Sequence, residues 1–445
     1  MNRLLNPLLS ASRGKFAKRV VMLASGTAGA QLVTMAVSPF LTRIYGPEAF
    51  GVLGLFNSVV SVVATSIALA YPIAIVLPKE ERDAVGLAAL SIYISTSLTL
   101  LLTIILMVIY QPILTILGLE PLAPFVWLIP VAVVVSAWMQ IAYNWLLRNN
   151  YFSSIARTNL IQSVAVGITQ VVMGLLYPVG GALITITVLG RLVHAFSLGF
   201  SGSRHSIVRS LCQWRLTSLN RAQVWALARD YRDFAQFRAP QLLLNAASLG
   251  IPVMLLSAYY GPAVAGLYTL CTSVLTIPSR LIGTSIGDVF YPRIAQARAS
   301  GDNLTPYIVK ATVVLAVVGA VPYGVIFLGG PFLFSLVFGD PWRIAGEFAQ
   351  IVAIWQFASL ISRPAVRSLP VLSAQRFHLN FTLLWTAIRV AGIVLGYMLF
   401  RSAEASVLLF SVAAFISYIY LIAHVITLSY RHDRKLQSQG ELGLD

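Results

Sequence analysis

Tyr45-Gly46-Pro47, followed by Gly51, Leu55, Ser58 and Val59, is written twice in this chain. The second copy is Tyr260-Gly261-Pro262, followed by Gly266, Leu270, Ser273 and Val274, and every matched pair lies 215 residues apart. A common offset of nearly half the 445 residues reads as internal duplication. Gly-Pro between two apolar runs predicts a tight hairpin. Gly takes the left-handed position that ends one helix, and Pro takes the first turn of the next. Beyond the turn, Gly51, Leu55 and Ser58 share a helical face, and Gly54 with Ser58 makes a small-xxx-small pair that a neighbouring backbone can approach.

The runs around these hairpins set the class. The chain is 58% hydrophobic and 10% charged, with a mean hydropathy of +0.81. Soluble domains carry roughly 25% charged residues, so the composition predicts an all-α polytopic membrane protein. Twelve spans are read, at about 20–42, 48–77, 84–110, 122–147, 153–176, 182–202, 239–259, 263–288, 306–329, 346–369, 378–400 and 404–429. Arg13, Lys15, Lys18 and Arg19 precede an apolar run reaching Leu41. It is longer than a signal-peptide core and ends in no clean cleavage site, so it reads as the first span. Six spans separate the hairpin copies, and six is even. Both copies therefore cross in the same sense, which predicts two six-helix lobes as parallel repeats around a central cavity. The expected domains are an N-terminal lobe (1–202), a basic linker (203–238), a C-terminal lobe (239–430) and a tail (431–445). Within the linker, 222–235 reads as an amphipathic helix on the membrane surface.

Charge placement predicts orientation. With both termini inside, 23 of the 31 Lys and Arg fall on the cytoplasmic side and only Arg43, Arg343 and Arg401 opposite. The net charge of +16 is then explained by basic loops facing an anionic leaflet, without nucleic acid. The outer loops hold no room for a catalytic domain and no paired carboxylates, so an enzyme is not expected. Neither is a cofactor or a metal site. The two cysteines, Cys212 in a loop and Cys271 in a span, are not expected to pair. Pro39, Pro72, Pro130, Pro252, Pro278, Pro322 and Pro364 fall inside spans and predict kinks or interruptions.

Five arginines remain within spans: Arg191, Arg280, Arg363, Arg367 and Arg389. A charge at the bilayer centre costs about 2.5–3.5 kcal/mol or more. At about 1.5 Å per residue, Arg191 sits roughly 14 Å and Arg389 about 16 Å into their spans, near the midplane. Arg280, Arg363 and Arg367 come nearer the inner boundary, within snorkelling reach of headgroups. With few acids in the spans, the interior is net cationic and suits an anion, phosphate above all. The expected diphosphate-binding residues are Arg191, Arg389, Arg280 and Arg363. Gln31, Asn57, His194 and Asn245 are expected to be polar residues of the cavity. His194 lies three residues after Arg191, on the same face of the helix.

Arg43-Ile44-Tyr45-Gly46-Pro47-Glu48-Ala49-Phe50-Gly51 and Tyr71-Pro72-Ile73-Ala74-Ile75-Val76-Leu77-Pro78 resemble the start of bacterial polysaccharide flippases of the Wzx type. Leu275-Thr276-Ile277-Pro278-Ser279-Arg280-Leu281-Ile282-Gly283 and Val337-Phe338-Gly339-Asp340-Pro341-Trp342 are similar to the second half of that family. These flippases belong to the superfamily of multidrug/toxin exporters and peptidoglycan-precursor flippases. The resemblance implies two six-helix lobes around a cationic cavity. It also implies transfer of undecaprenyl-diphosphate-linked oligosaccharide from the inner to the outer leaflet of the bacterial cytoplasmic membrane by alternating access. The product pathway is O antigen, capsule or exopolysaccharide, and the partners are the lipid bilayer, a polysaccharide polymerase and a chain-length regulator. The alternatives are a multidrug or organic-cation exporter of the same superfamily, or a membrane enzyme of polysaccharide assembly. Drug exporters of this kind commonly carry acidic coupling residues in the first lobe. Here the first-lobe spans hold no Asp or Glu away from their ends.

Overall fold

In hydrocarbon, backbone N–H and C=O groups find no water, so each apolar run must close its hydrogen bonds internally. The computed structural model describes residues 22, 25–201, 206–215, 221–372 and 374–441, and no strand occurs among them. The basic N-terminal tail, the first residues of span one and the Cys212 side chain lie outside what is described.

The helices are α1 (25–44), α2 (Pro47–Ser66), α3 (Tyr71–Ala74), α4 (Glu81–Leu117), α5 (Leu128–Arg148), α6 (Phe152–Leu176), α7 (Gly180–Phe200), α8 (Ile207–Arg215) and α9 (Arg221–Asp230). They continue as α10 (Ala239–Tyr260), α11 (Pro262–Ser300), α12 (Thr305–Phe338), α13 (Arg343–Ile361), α14 (Arg363–Ser368), α15 (Gln375–Phe400) and α16 (Ala403–Glu441). Among the described residues, 11 helical segments are long and apolar enough to cross a membrane, and α1 occupies the place expected of the first span. Several run far beyond a span. The 37 residues of α4, which is kinked at Ile109 ahead of Pro112, exceed the roughly 20 that a hydrocarbon core of about 30 Å requires. The described residues cluster into two compact units, Met1–Met254 and Leu255–Asp445.

Within unit 1, α5 is central. Its apolar window is 50% buried, against 11% for α4 and 17% for α6, whose remaining apolar surface is left for lipid. One core cluster joins α2, the far half of α4, α5 and α7 through Leu55, Leu106, Ile129 and Ile184. A second, at the other end, joins α3, α4, α5, α8 and α9 through Ala74, Leu87, Trp145 and Leu227. Helix α9 therefore buries Leu227 against protein. Tyr71 Oη donates to Ala228 O at 3.0 Å, and Arg82 Nη2 donates to Gln223 Oε1 at 2.6 Å. The expected surface helix is thus docked on the bundle end, because its apolar stripe finds a partner there. In unit 2, α13 is the central helix, with 56% of the window of its span buried. Asp433 of α16 accepts from Leu304 N and Thr305 N at 2.8 and 2.9 Å, placing a carboxylate at the positive end of α12.

Both hairpin tyrosines are anchored in the same manner. Tyr45, fully buried, donates to Gln170 O of α6 at 3.0 Å. Tyr260 donates to Ser402 O, between α15 and α16, at 2.9 Å. Tyr45 thus reaches the fifth helical span of its half, and Tyr260 reaches the fifth and sixth of its own, through Tyr397 and Ser406. Gly174 admits the Tyr45 ring, since a Cβ there would lie 2.7 Å from Tyr45 Cε2. Gly396 lets α16 approach α15, since a Cβ there would lie 2.4 Å from Ser406 Cα.

The two hairpin glycines differ from the expected geometry. Gly46 is extended (φ −71°, ψ 173°), and Gly261 has φ 86° and ψ 168°. Neither is the left-handed helix end. Both instead precede the helix that Pro47 or Pro262 begins, so the chain extends at this point before α2 or α11 starts. The second span is also interrupted. Helix α2 stops at Ser66, Leu69 and Ala70 take φ of 49° and 58°, and α3 resumes with Pro72 in its first turn. The tenth span breaks likewise between α13 and α14, where Pro364 starts the second piece. Proline lacks the N–H that a continuous helix needs, and a new first turn is the place where that loss is free.

Candidate functional site

Arg191 is the twelfth of 21 residues in α7, about 16 Å from its start and about 14 Å from its end. Its guanidinium Nη2 donates to Asn57 Oδ1 of α2 at 2.6 Å. Two residues singled out separately from the sequence are therefore brought together, across two helices of unit 1. The partner is a neutral amide. Among the described residues no carboxylate pairs with Arg191. Its positive charge is held but not cancelled.

Arg389 is near the middle of α15 in unit 2. Its Nη2 donates to Ser417 Oγ of α16. Its guanidinium carbon lies 4.8 Å from the centroid of the Tyr418 ring. Its Nε is buried without a hydrogen-bond partner. These contacts are again neutral. Tyr418 stacks on Trp355 of α13, with ring planes 7° apart, so the ring beneath the arginine is itself fixed.

Arg363 opens α14, at the break in the tenth span. It lies within electrostatic reach of Tyr323, Arg367, Tyr418 and Arg280. Tyr323 Oη lies 2.7 Å from Ser279 Oγ and donates to Leu275 O at 2.9 Å, which ties α12 to α11 beside this group. Arg363 is half-buried, and Arg280 and Arg367 are exposed. Three cations thus gather near one end of α13, and Tyr418 connects them to Arg389.

The remaining polar candidates are dispersed. His194 is buried and lines a cavity of about 250 Å³ between α6 and α7, together with Gln162 and Thr158. Its Nε2 has no partner. Arg191 reaches toward α2 while His194 faces α6, so their three-residue spacing does not place them on one partner. Asn245 is exposed on α10, and Gln31 is half-buried on α1. The sequence reading did not include Ser417 or Tyr418 as partners of Arg389, because a serine and a tyrosine in an apolar run carry no distinguishing signal. It also counted Arg148 only as a loop cation. In the structure Arg148 donates to Ile75 O at 3.2 Å, to Pro78 O, to Lys79 O at 3.4 Å and to Glu80 O at 3.2 Å. It thereby closes the carbonyls left free beyond α3.

A family model described as polysaccharide biosynthesis protein matches residues 40–347. The succinoglycan biosynthesis transport protein ExoT of Rhizobium meliloti (strain 1021) is 23% identical over 336 residues. The match covers 75% of this chain and 64% of that protein, so the chain spans just under two thirds of that relative. Among solved structures, an inward-facing multidrug resistance MATE family transporter of the MOP superfamily superposes with a TM-score of 0.69 at 12% identity, covering 94% of this chain and 95% of the other. The lipid II flippase MurJ in its inward closed conformation gives a TM-score of 0.70 at 13% identity, covering 94% and 91%. At such identities these two carry the fold and nothing finer.

Proposed function

Because the chain belongs to the polysaccharide biosynthesis protein family, we propose that it is a flippase for undecaprenyl-diphosphate-linked oligosaccharide. It is a multi-pass membrane transporter with a flippase-type fold. In the proposal it carries its substrate from the inner to the outer leaflet of the bacterial cytoplasmic membrane by alternating access, for O antigen, capsule or exopolysaccharide synthesis. It performs no covalent chemistry, and it hands its cargo to a polymerase and a chain-length regulator. The two six-helix lobes are 1–202 and 239–430, joined by the 203–238 linker, and both termini are cytoplasmic.

One observation carries this reading. The two midspan arginines, Arg191 and Arg389, are each fixed by neutral partners. Desolvated charges without counter-ions are costly, and an anionic ligand relieves the cost. A diphosphate diester brings about two negative charges to be matched by guanidinium forks. Arg363 and Arg280 extend the cationic surface toward the inner boundary, where the headgroup enters. Asn57, Asn245, Gln31 and His194 offer hydrogen bonds to sugar hydroxyls. An inside-negative potential assists outward transfer by about 2.3 kcal/mol per charge per 100 mV, which removes the need for an acidic coupling residue. A cationic site of this kind repels organic cations, the cargo of the alternative exporter reading.

The test is reconstitution. Purified protein in liposomes should move fluorescently labelled lipid-linked oligosaccharide between leaflets, as read by loss of protection from a membrane-impermeant quencher. Protein-containing liposomes that protect the label as fully as empty ones would contradict the proposal.

A further inference from the structure

Phe377, Phe381, Trp385 and Arg389 recur at intervals of four along α15, so successive side chains lie one above the next. On α16 they meet Tyr420 and His424. Phe377 stacks on His424 with ring centroids 4.0 Å apart, and Phe381 lies parallel to Tyr420 at 6.0 Å. Trp385 is 6.4 Å from Tyr420, and Tyr420 is 5.9 Å from His424. The five rings form a continuous ladder along about 12 Å of α15, and Arg389 lies one helical turn beyond Trp385.

The rings are not sealed in the bundle. Tyr420 is 48% exposed, and Phe377, Trp385 and His424 are half-buried. Three of the five rings carry polar edges: the indole N–H, the phenol hydroxyl and the imidazole nitrogens. Tyr45, Tyr71, Tyr260 and Tyr323 each satisfy their hydroxyl with a backbone carbonyl. Among the described residues, Trp385, Tyr420 and His424 have no side-chain hydrogen bond. Polar edges left open along a span are costly against hydrocarbon, so this stripe requires a partner that is apolar on its faces and polar at its rim.

We propose that the ladder on α15 and α16 is a saccharide-binding track that leads to Arg389. A pyranose ring has this amphipathic character. Its C–H face packs on an aromatic face, and its equatorial hydroxyls reach the indole, phenol and imidazole edges. A polyprenyl chain offers no hydrogen bond to those edges, and a free phosphate offers nothing to the ring faces. The proposal rests on the flippase reading and adds to it where the sugars run and what makes the protein prefer a glycosylated headgroup.

The experiment compares two ligands on the purified full-length protein: undecaprenyl diphosphate carrying a trisaccharide, and bare undecaprenyl diphosphate. Wild type is expected to bind the glycosylated lipid more tightly. Trp385→Ala and Tyr420→Ala should each weaken the glycosylated lipid about five- to tenfold and leave the bare lipid unchanged. Trp385→Phe and Tyr420→Phe, which keep the ring and protect against a folding artefact, should fall between. If wild type shows the preference and the alanine variants keep it, or if they weaken both ligands equally, the track is wrong while the flippase reading stands. If wild type binds both lipids equally, the track is wrong while the flippase reading stands; if it binds neither, the flippase reading fails as well.

Discussion

The Arg191 guanidinium rests on the Asn57 amide at 2.6 Å, so a charge in the middle of α7 is oriented without being neutralised. That distinction is testable at the partner. Asn57→Asp keeps the shape and the contact but supplies a counter-ion. A buried pair formed there should hold or raise the melting temperature and lower export at least tenfold, because the anion site is filled from within. Asn57→Ala should retain partial export, since the charge persists. Normal export by Asn57→Asp would show that the free charge of Arg191 is not used.

The two Gly-Pro hairpins should respond differently to the same change. A Cβ at Gly46 meets nothing within 4 Å, and its φ of −71° suits any residue. Gly46→Ala should therefore be neutral to within about 0.5 kcal/mol. Gly261 also has open space around it, but its φ is 86°. Gly261→Ala should cost about 1–3 kcal/mol through backbone strain alone. Melting in detergent, compared between the two variants, gives the answer, and equal losses would refute the assignment.

Arg148 holds the segment after α3 through four carbonyls. Lysine cannot span them, because its ammonium is a point donor and not a planar fork. Arg148→Lys should destabilise the protein by about 1–3 kcal/mol. Protease should then cut first between Ile75 and Glu80. A cut elsewhere, or unchanged stability, would argue that the clamp is incidental.

Orientation is open to direct measurement. Reporter fusions after Ser203 and at Gln439 should both read cytoplasmic, since 23 of the 31 cations lie on that side of the twelve-span topology. A periplasmic signal at either position would overturn it.

Much of this was legible from sequence because apolar length has a single physical outcome in a bilayer. The expected spans from 84–110 onward fall on helices, the tenth on two pieces, and each Tyr-Gly-Pro marks a hairpin whose tyrosine donates to a backbone carbonyl of its own unit. The breaks were less legible. Leu69 and Ala70 at positive φ carry no glycine signal, and tertiary contacts from Arg148 and α9 hold that break in place. The pairing of Arg191 with Asn57 follows from helix rotation and neighbour order, which periodicity does not encode. The aromatic ladder is shared between two consecutive helices, α15 and α16, so either half alone reads as ordinary apolar sequence.

The central claim is that Arg191 and Arg389 carry the diphosphate. The most direct measurement is surface polysaccharide in cells whose only copy of the protein is Arg191→Gln or Arg389→Gln, with membrane level and melting temperature checked in parallel. The account predicts that each Gln variant accumulates, stays folded and exports almost no polysaccharide, while Lys at either position restores part of the export. Normal polysaccharide from both Gln variants would contradict it.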